Sequence, residues 1–350
     1  MSLFKDMLKD SESLFVDEIA LDFDYIPKIL KCRENEQQYV ATCIKPLFQG
    51  RNGKNLFIYG SPGVGKTVAI KCVLRDLENE TDDIIPIYIN CWKTDTSYKI
   101  INEICKQINY KFVFNKKTDE LIRDACNIIN KKSTVIVLDE IDKIAEQGII
   151  YSLLEDIYKK TIILITNNHN FLSDVDPRIK SRLIPDLLEF KPYNKEETRS
   201  ILKERRDHAF VPGIWDEESF NLIVNKSYEL NDIRSGLYLM RESANIAESN
   251  SSRIIKKEFI EKSINKLVDF KSKDNFDDKE KLILELIKNN SGKKLKELHE
   301  LFINSGMEIP YRTFFDKIKK LEKADVIYTK EMEGPGKSTI VTYNKKVNEF

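Results

Sequence analysis

Short unbroken apolar runs alternate with segments of helical spacing along the first half of the chain. Residues 55–60 (NLFIYG) form an apolar run closed by glycine, the pattern of a strand buried on both faces. Val68, Ala69, Cys72, Val73 and Leu77 then recur at helical spacing. Residues 84–92 (IIPIYINCW) give a second buried strand. Ile100, Ile101, Ile104, Cys105 and Ile108 share one helical face, and residues 118–132 read as another helix. Residues 133–142 (STVIVLDEID) and 161–168 (TIILITNN) supply a third and a fourth strand. Strands alternating with helices predict an α/β core: a parallel sheet covered on both faces.

After Phe190 the strand pattern stops. Four helical stretches follow, at 194–210, 216–230, 232–248 and 255–270. Residues 271–278 (KSKDNFDD) are polar and read as a linker. Three more helices are expected at 279–290, 294–306 and 311–327, then two β-rich segments about Gly334-Pro335-Gly336. Three helices and a hairpin make a winged helix. The expected division is a nucleotide-binding core at 1–190, with residues 1–15 a loose arm, a helical lid domain at 191–270 and a winged-helix domain at 271–350.

Composition narrows the function. Lys+Arg and Asp+Glu both number 57, so a nucleic-acid role would need a local basic surface. Residues 271–350 carry 17 Lys+Arg against 14 Asp+Glu, a small excess. The six cysteines all fall in the first 126 residues without a C-x-x-C pair, as expected of buried free thiols in a reducing compartment. No secretory leader or membrane-length apolar run is present in the sequence, so a soluble, cytoplasmic, nucleoid-associated protein with no membrane partner is expected.

The chemistry concentrates at three strand ends. Gly60-Ser61-Pro62-Gly63-Val64-Gly65-Lys66-Thr67 fits G-x-x-x-x-G-K-[ST] between a strand and a helix, where backbone N–H groups and the helix N-terminus cradle phosphates. The expected cofactors are ATP or ADP with Mg²⁺: Lys66 is expected on the β- and γ-phosphates of ATP, and Thr67 on Mg²⁺. Asp139 and Glu140 end an apolar strand, a costly place for carboxylates without a counter-charge. Asp139 is placed to hold Mg²⁺ and Glu140 to polarise the attacking water. Asn167 ends the next strand, where an amide can orient that water.

These strands resemble those of the AAA+ ATPases, and more narrowly the archaeal origin-recognition/cell-division-control initiator family. Nearly the whole chain, roughly 15–345, takes part. The segment with Asp22 to Pro27 and Arg33 to Glu36 resembles the family's adenine-cupping stretch, which implies cofactor roles for Tyr25, Ile26, Pro27 and Arg33. Tyr88-Ile89-Asn90 with Thr94 to Tyr98 resembles the initiator insertion, and Ile165-Thr166-Asn167 resembles sensor 1. The resemblance also implies nucleotide contacts for Val68, Tyr193 and Ile201. Arg182 matches the arginine finger that reaches a neighbouring subunit's γ-phosphate, with Arg178 a second candidate. Asn231-Asp232-Ile233-Arg234 resembles sensor 2, making Arg234 a γ-phosphate contact in cis.

The tail offers a recognition helix. Phe314, Phe315, Ile318 and Leu321 form its apolar face, leaving Tyr311, Arg312, Lys317, Lys319 and Lys320 outward. Arg312 and Thr313 are expected at base edges and the lysines at phosphates, with Lys337 and Ser338 on the wing. The resemblance adds Lys93, Thr96, Tyr98 and Lys99 as insertion contacts. The expected function is ATP-dependent initiation on double-stranded origin DNA with slow regulatory hydrolysis, alongside paralogous subunits and a replicative helicase. An ATP-switched regulator that docks a protein and an AAA+ clamp or helicase loader stand as alternatives.

Overall fold

The computed structural model describes residues 13–274, 277–304, 309–323, 327–332 and 338–343. The chain divides into two compact units, one running to Arg241 and the other taking over at Glu242, inside a helix. The boundaries expected from sequence fall instead at 190/191 and 270/271.

The first unit is built on a five-stranded sheet. Its strands are β1 (Leu56–Tyr59), β2 (Ile84–Asn90), β3 (Ser133–Asp139), β4 (Lys160–Thr166) and β5 (Asp186–Glu189). They lie in the order β2-β3-β4-β1-β5, every pair parallel. The alternation of side chains sorts the core into two layers. Leu56, Ile58, Val135, Val137, Ile163 and Ile165 pack under α1 (Glu34–Ile44) and α2 (Lys66–Glu80). Phe57, Ile136, Leu138, Ile162 and Leu164 pack under α3 (Ser97–Gln107), α4 (Thr118–Ile129) and α5 (Gly148–Asp156). Strand parity then carries Asp139 and Asn167 out on the α2 side, because each lies two or four residues beyond a side chain of that layer.

Neither α5 nor β5 was legible beforehand. β5 is a short edge strand, half exposed, too brief for an alternation to register. The helix α6 (Pro177–Leu183) precedes it, and α7 (Lys195–Ala209), α8 (Glu217–Glu229) and α9 (Ile233–Ser249) follow. Asn194 and Glu197 close a capping box at the start of α7, and Asp216 caps α8. Residues 14–27 strap onto these helices. Phe15 pairs with Phe210, Arg241 binds Glu18 and Asp22, and Arg205 donates to the carbonyls of Ala20 and Tyr25.

In the second unit α10 (Lys257–Asp274) runs through the first half of the stretch read as a linker, residues 271–274, so that expectation is corrected there. Then come α11 (Asp278–Asn289), β6 (Lys293–Lys294), α12 (Leu295–Asn304), α13 (Tyr311–Lys323), β7 (Ile327–Met332) and β8 (Ser338–Tyr343). The strands form an antiparallel sheet β6-β8-β7. Ile283, Ile287, Leu298, Phe302, Phe314, Ile318, Leu321, Ile327 and Val341 share one core, giving the element order of a winged helix. Lys337 and the Gly334–Gly336 turn lie outside the described residues. Ser338 begins β8, but its side chain is not among those described. Among the described residues no helix is long and apolar enough to cross a membrane.

Candidate functional site

The sheet order decides the site. β4 lies between β1 and β3, so its C-terminal end separates the glycine loop from the acids. Lys66 sits in the first turn of α2 and is buried. Its Nζ donates to the Gly60 carbonyl at 2.7 Å, the Ser61 carbonyl at 2.9 Å and Asn167 Oδ1 at 2.7 Å. All three partners are neutral. Burial therefore pulls the amine down to about 8, with the nearby Asp139 offsetting part of that. A buried cation held by neutral dipoles is a site that gains by accepting an anion.

Asp139 is 2% exposed and takes three hydrogen bonds. Its Oδ2 accepts from Thr67 Oγ1 and from the Tyr88 hydroxyl, each at 2.7 Å, and Oδ1 accepts from the Glu140 N–H at 2.8 Å. Glu140 leaves the strand with φ 53°, a left-handed backbone that a glutamate adopts at a cost. Burial first, then Asp139 and Asp142, raise its carboxyl above the ordinary glutamate value. That shift strengthens Glu140 as a proton acceptor, as a general base requires.

Two glycines admit the lid. Gly63 has φ 78°, and a Cβ there would land on the Asp232 carboxylate. Gly65 has φ 86°, and a Cβ there would strike the Tyr193 hydroxyl. Asp232 Oδ1 accepts from the Arg234 N–H at 3.0 Å, fixing the first turn of α9 beside the loop. The result is a cavity of about 330 Å³. Pro62, Gly63, Val64, Gly65, Lys66, Thr67, Val68, Asp139, Glu140, Asn167, Tyr193, Ile201 and Arg234 are among the residues that line it. Its size and its mix of apolar wall and convergent polar groups suit a nucleotide. The loop N–H groups and Lys66 fit its phosphates, and Thr67 with Asp139 fits Mg²⁺.

Four expectations are corrected. Tyr25, Ile26, Pro27 and Arg33 do not line the cavity; Phe23, Asp24 and Leu30 do. Arg33 turns away to donate to the carbonyls of Val64 and Lys191, beneath the Tyr193 ring at 4.0 Å. The Tyr25 ring stacks under Arg205, and the Pro27 carbonyl accepts from Arg75 on α2. Gly60 and Ser61 act through their carbonyls on Lys66. Lys71, Arg205, Ile233 and Leu237 also reach the cavity and were missed. Lys71 lies one helical turn beyond Thr67, a spacing that could have flagged it.

Arg182 and Arg178 lie off the cavity. Arg182 is paired with Glu155 and donates to the Tyr151 hydroxyl at 3.2 Å, while Arg178 pairs with Asp176. At the insertion, Thr96 caps α3, Lys99 Nζ is bound to Asp95 at 2.7 Å, and Tyr98 is exposed; Lys93 sits in the turn after β2. On α13, Tyr311, Arg312, Thr313, Lys319 and Lys320 are exposed. Lys317 is not: its side chain is 16% exposed, bound to Asp277 and to Glu280 at 3.2 Å. Lys320 also binds Glu280, at 2.8 Å. The outward placement of Lys317 is therefore corrected.

Comparison with known proteins agrees with this geometry. Residues 50–171 match the AAA domain model, and residues 199–265 match the Cdc6 AAA+ ATPase-type lid domain. The ORC1-type DNA replication protein 1 of Archaeoglobus fulgidus is 30% identical over 283 residues, covering 76% of this chain and 69% of that protein. The chain belongs to the ORC1-type DNA replication protein family. Another member of that ORC1-type family, from Methanosarcina mazei, is 27% identical over 350 residues and spans 95% of this chain and 93% of its own length. The ORC1 protein of Aeropyrum pernix, solved in complex with DNA, superposes with a TM-score of 0.67 at 24% identity, covering 96% of this chain and 95% of that one. The ORC2 protein of Aeropyrum pernix, solved with ADPNP and ADP, gives 0.66 at 18% identity, with 95% and 94% covered.

Proposed function

We propose that this chain is an ATP-switched replication initiator that grips origin duplex DNA through α13 and the insertion at 93–99. One observation carries the nucleotide half: a buried Lys66 with only neutral partners, facing Asp139 and Thr67 in a cavity that Arg234 of the lid also lines. ATP would hold loop and lid together through Lys66 and Arg234. Mg²⁺, when bound, would neutralise phosphate charge as the γ-phosphate leaves. This chain's residues do the rest. Asn167 orients the water, Glu140 takes its proton, and three donors hold Asp139 in place. Hydrolysis then serves as a slow reset.

The DNA half is supported by family membership and by the exposed residues of α13. A second reading, that the winged helix docks a protein, draws on the neutralisation of Lys317 and Lys320 by Asp277 and Glu280. Fluorescence anisotropy on origin and unrelated duplexes, with and without ATP, separates the two. Four phosphate contacts predict a loss of about 50-fold between 0.1 and 0.3 M salt. Affinity indifferent to salt, or equal for all duplexes with or without ATP, would remove the initiator reading.

A further inference from the structure

We propose that Tyr88 is a positioning residue for the cation site, its hydroxyl clamping Asp139 in the rotamer that faces Thr67. This rests on the nucleotide reading above and deepens it. Neither the glycine loop nor the acid strand contains Tyr88. It comes from β2, the edge strand beside β3, with Tyr88 in register with Val137 and Asn90 with Asp139. Its side chain therefore emerges on the α2 face, one pleat short of Asp139, and its hydroxyl reaches Oδ2 at 2.7 Å.

The clamp has a function that packing alone does not need. A carboxylate turns easily about its last torsion, whose preference is broad and two-fold. The Glu140 N–H fixes Oδ1 from the chain itself, but Oδ2 has only side-chain donors, Thr67 and Tyr88. Thr67 is the residue whose oxygen a cation would take, so it cannot alone hold the acid that must stay in place beside it. Tyr88 can, because its own position is over-determined. Gln107 of α3 accepts from the Tyr88 N–H at 3.0 Å and donates to its carbonyl at 2.8 Å, closing the free edge of β2. Lys71 of α2 stands over the ring at 4.9 Å. Partners of metal-binding carboxylates set metal affinity by about 10- to 100-fold.

The bland account is a core tyrosine that borrows an acceptor for its hydroxyl. The two accounts part on the response to Mg²⁺. Binding of a fluorescent ATP analogue to the full chain would be titrated against free Mg²⁺ in the wild type, Tyr88→Phe, Asp139→Asn and the double variant. Tyr88→Phe is expected to match wild type within twofold in EDTA, and to need about tenfold more Mg²⁺ for half-maximal enhancement. In the Asp139→Asn background the same change is expected to do nothing further. Thermal melting of Tyr88→Phe checks that the fold is kept. An unaltered Mg²⁺ midpoint overturns the proposal, as does a shift that persists without the Asp139 carboxylate. If the wild type itself binds no nucleotide, the nucleotide reading falls first, and that outcome is plainly distinguishable.

Discussion

Lys66 and Lys317 are both lysines of low exposure on helices, yet they do opposite things. Lys66 is surrounded by two carbonyls and an amide, and burial lowers its amine to about 8. Lys317 is surrounded by Asp277 and Glu280. Burial opposes its charge too, but the two carboxylates outweigh burial and hold it above the ordinary lysine value. A buried cation with neutral partners is incomplete and recruits an anion from outside. A buried cation with carboxylate partners is already complete, and its removal leaves a stranded charge. The surroundings of a basic residue, more than its presence, separate a binding site from a structural tie.

The largest expected effect tests the first half of that contrast at the acid beside Lys66. Glu140→Gln keeps the shape and removes the base. Turnover is expected to fall by about 10²- to 10⁴-fold, while ATP affinity stays within a few-fold. Single-turnover hydrolysis with a matched binding titration measures both. Retained hydrolysis would take Glu140 out of the base role.

Lys66→Ala comes next. It deletes a charge-assisted contact to phosphate, typically about 1.5–3 kcal/mol, so affinity should drop by about 10- to 100-fold. An effect confined to stability would make Lys66 a tie like Lys317. A pH series asks the same question without mutation. The free amine is charged below about 8, and phosphate favours the charged form. Nucleotide affinity should therefore hold from pH 7 to 8, then fall by up to about tenfold per unit above it. The stability sign is opposite: burying the charge costs folding free energy below pH 8, and that cost fades as pH rises toward the unfolded value. An affinity flat to pH 9.5 would mean Lys66 does not contact the phosphates.

The same contrast explains what could be read from the chain. Lys66, Thr67, Asp139 and Asn167 were legible because local rules place them: a glycine loop between strand and helix, and residues just past apolar runs whose parity is fixed. The parallel sheet followed from the same pattern. Arg33 and Tyr25 were misplaced, and Phe23, Asp24 and Leu30 missed, because a segment without periodicity gives no side-chain direction. Tyr88 reaches Asp139 only through strand pairing across 51 positions. Lys317 meets Glu280 across 37 positions. A helical wheel of α13 shows which face is apolar, but not that α11 brings a buried acid to its basic side.

Lys317→Met should therefore behave as the loss of a structural tie. It keeps the stem's packing and leaves Glu280, 3% exposed, with Lys320 as its remaining cation. A loss of about 1–3 kcal/mol is expected in chemical denaturation of the second unit. The acid side has a matching sign. Burial would raise Glu280, but its hydrogen bonds with Lys320, Asp277 and Lys317 hold it below the ordinary glutamate value. Its contribution is full above that value and disappears as pH falls through the lowered one. The wild type should thus lose more stability than Glu280→Gln between pH 5 and 3. Equal losses would show that the pair holds nothing.

The smallest effect is the most discriminating for the duplex, and it compares neighbours on one helix. Arg312 and Lys317 differ by five positions on α13, and any counting of basic residues treats them alike. Arg312 is exposed in the first turn, where a recognition helix meets the groove. Arg312→Ala should weaken duplex binding by about 1–3 kcal/mol if it reads a base, or lower the log–log salt slope by about one unit if it meets a phosphate. Lys317→Met should leave that slope unchanged, since its counterion is already a protein carboxylate and no salt ion is released when DNA arrives. Anisotropy at four salt concentrations on one duplex resolves a difference of one unit. A slope that falls equally in both variants would mean that DNA strips Lys317 from Glu280, and the division between tie and contact would then hold only in the free protein.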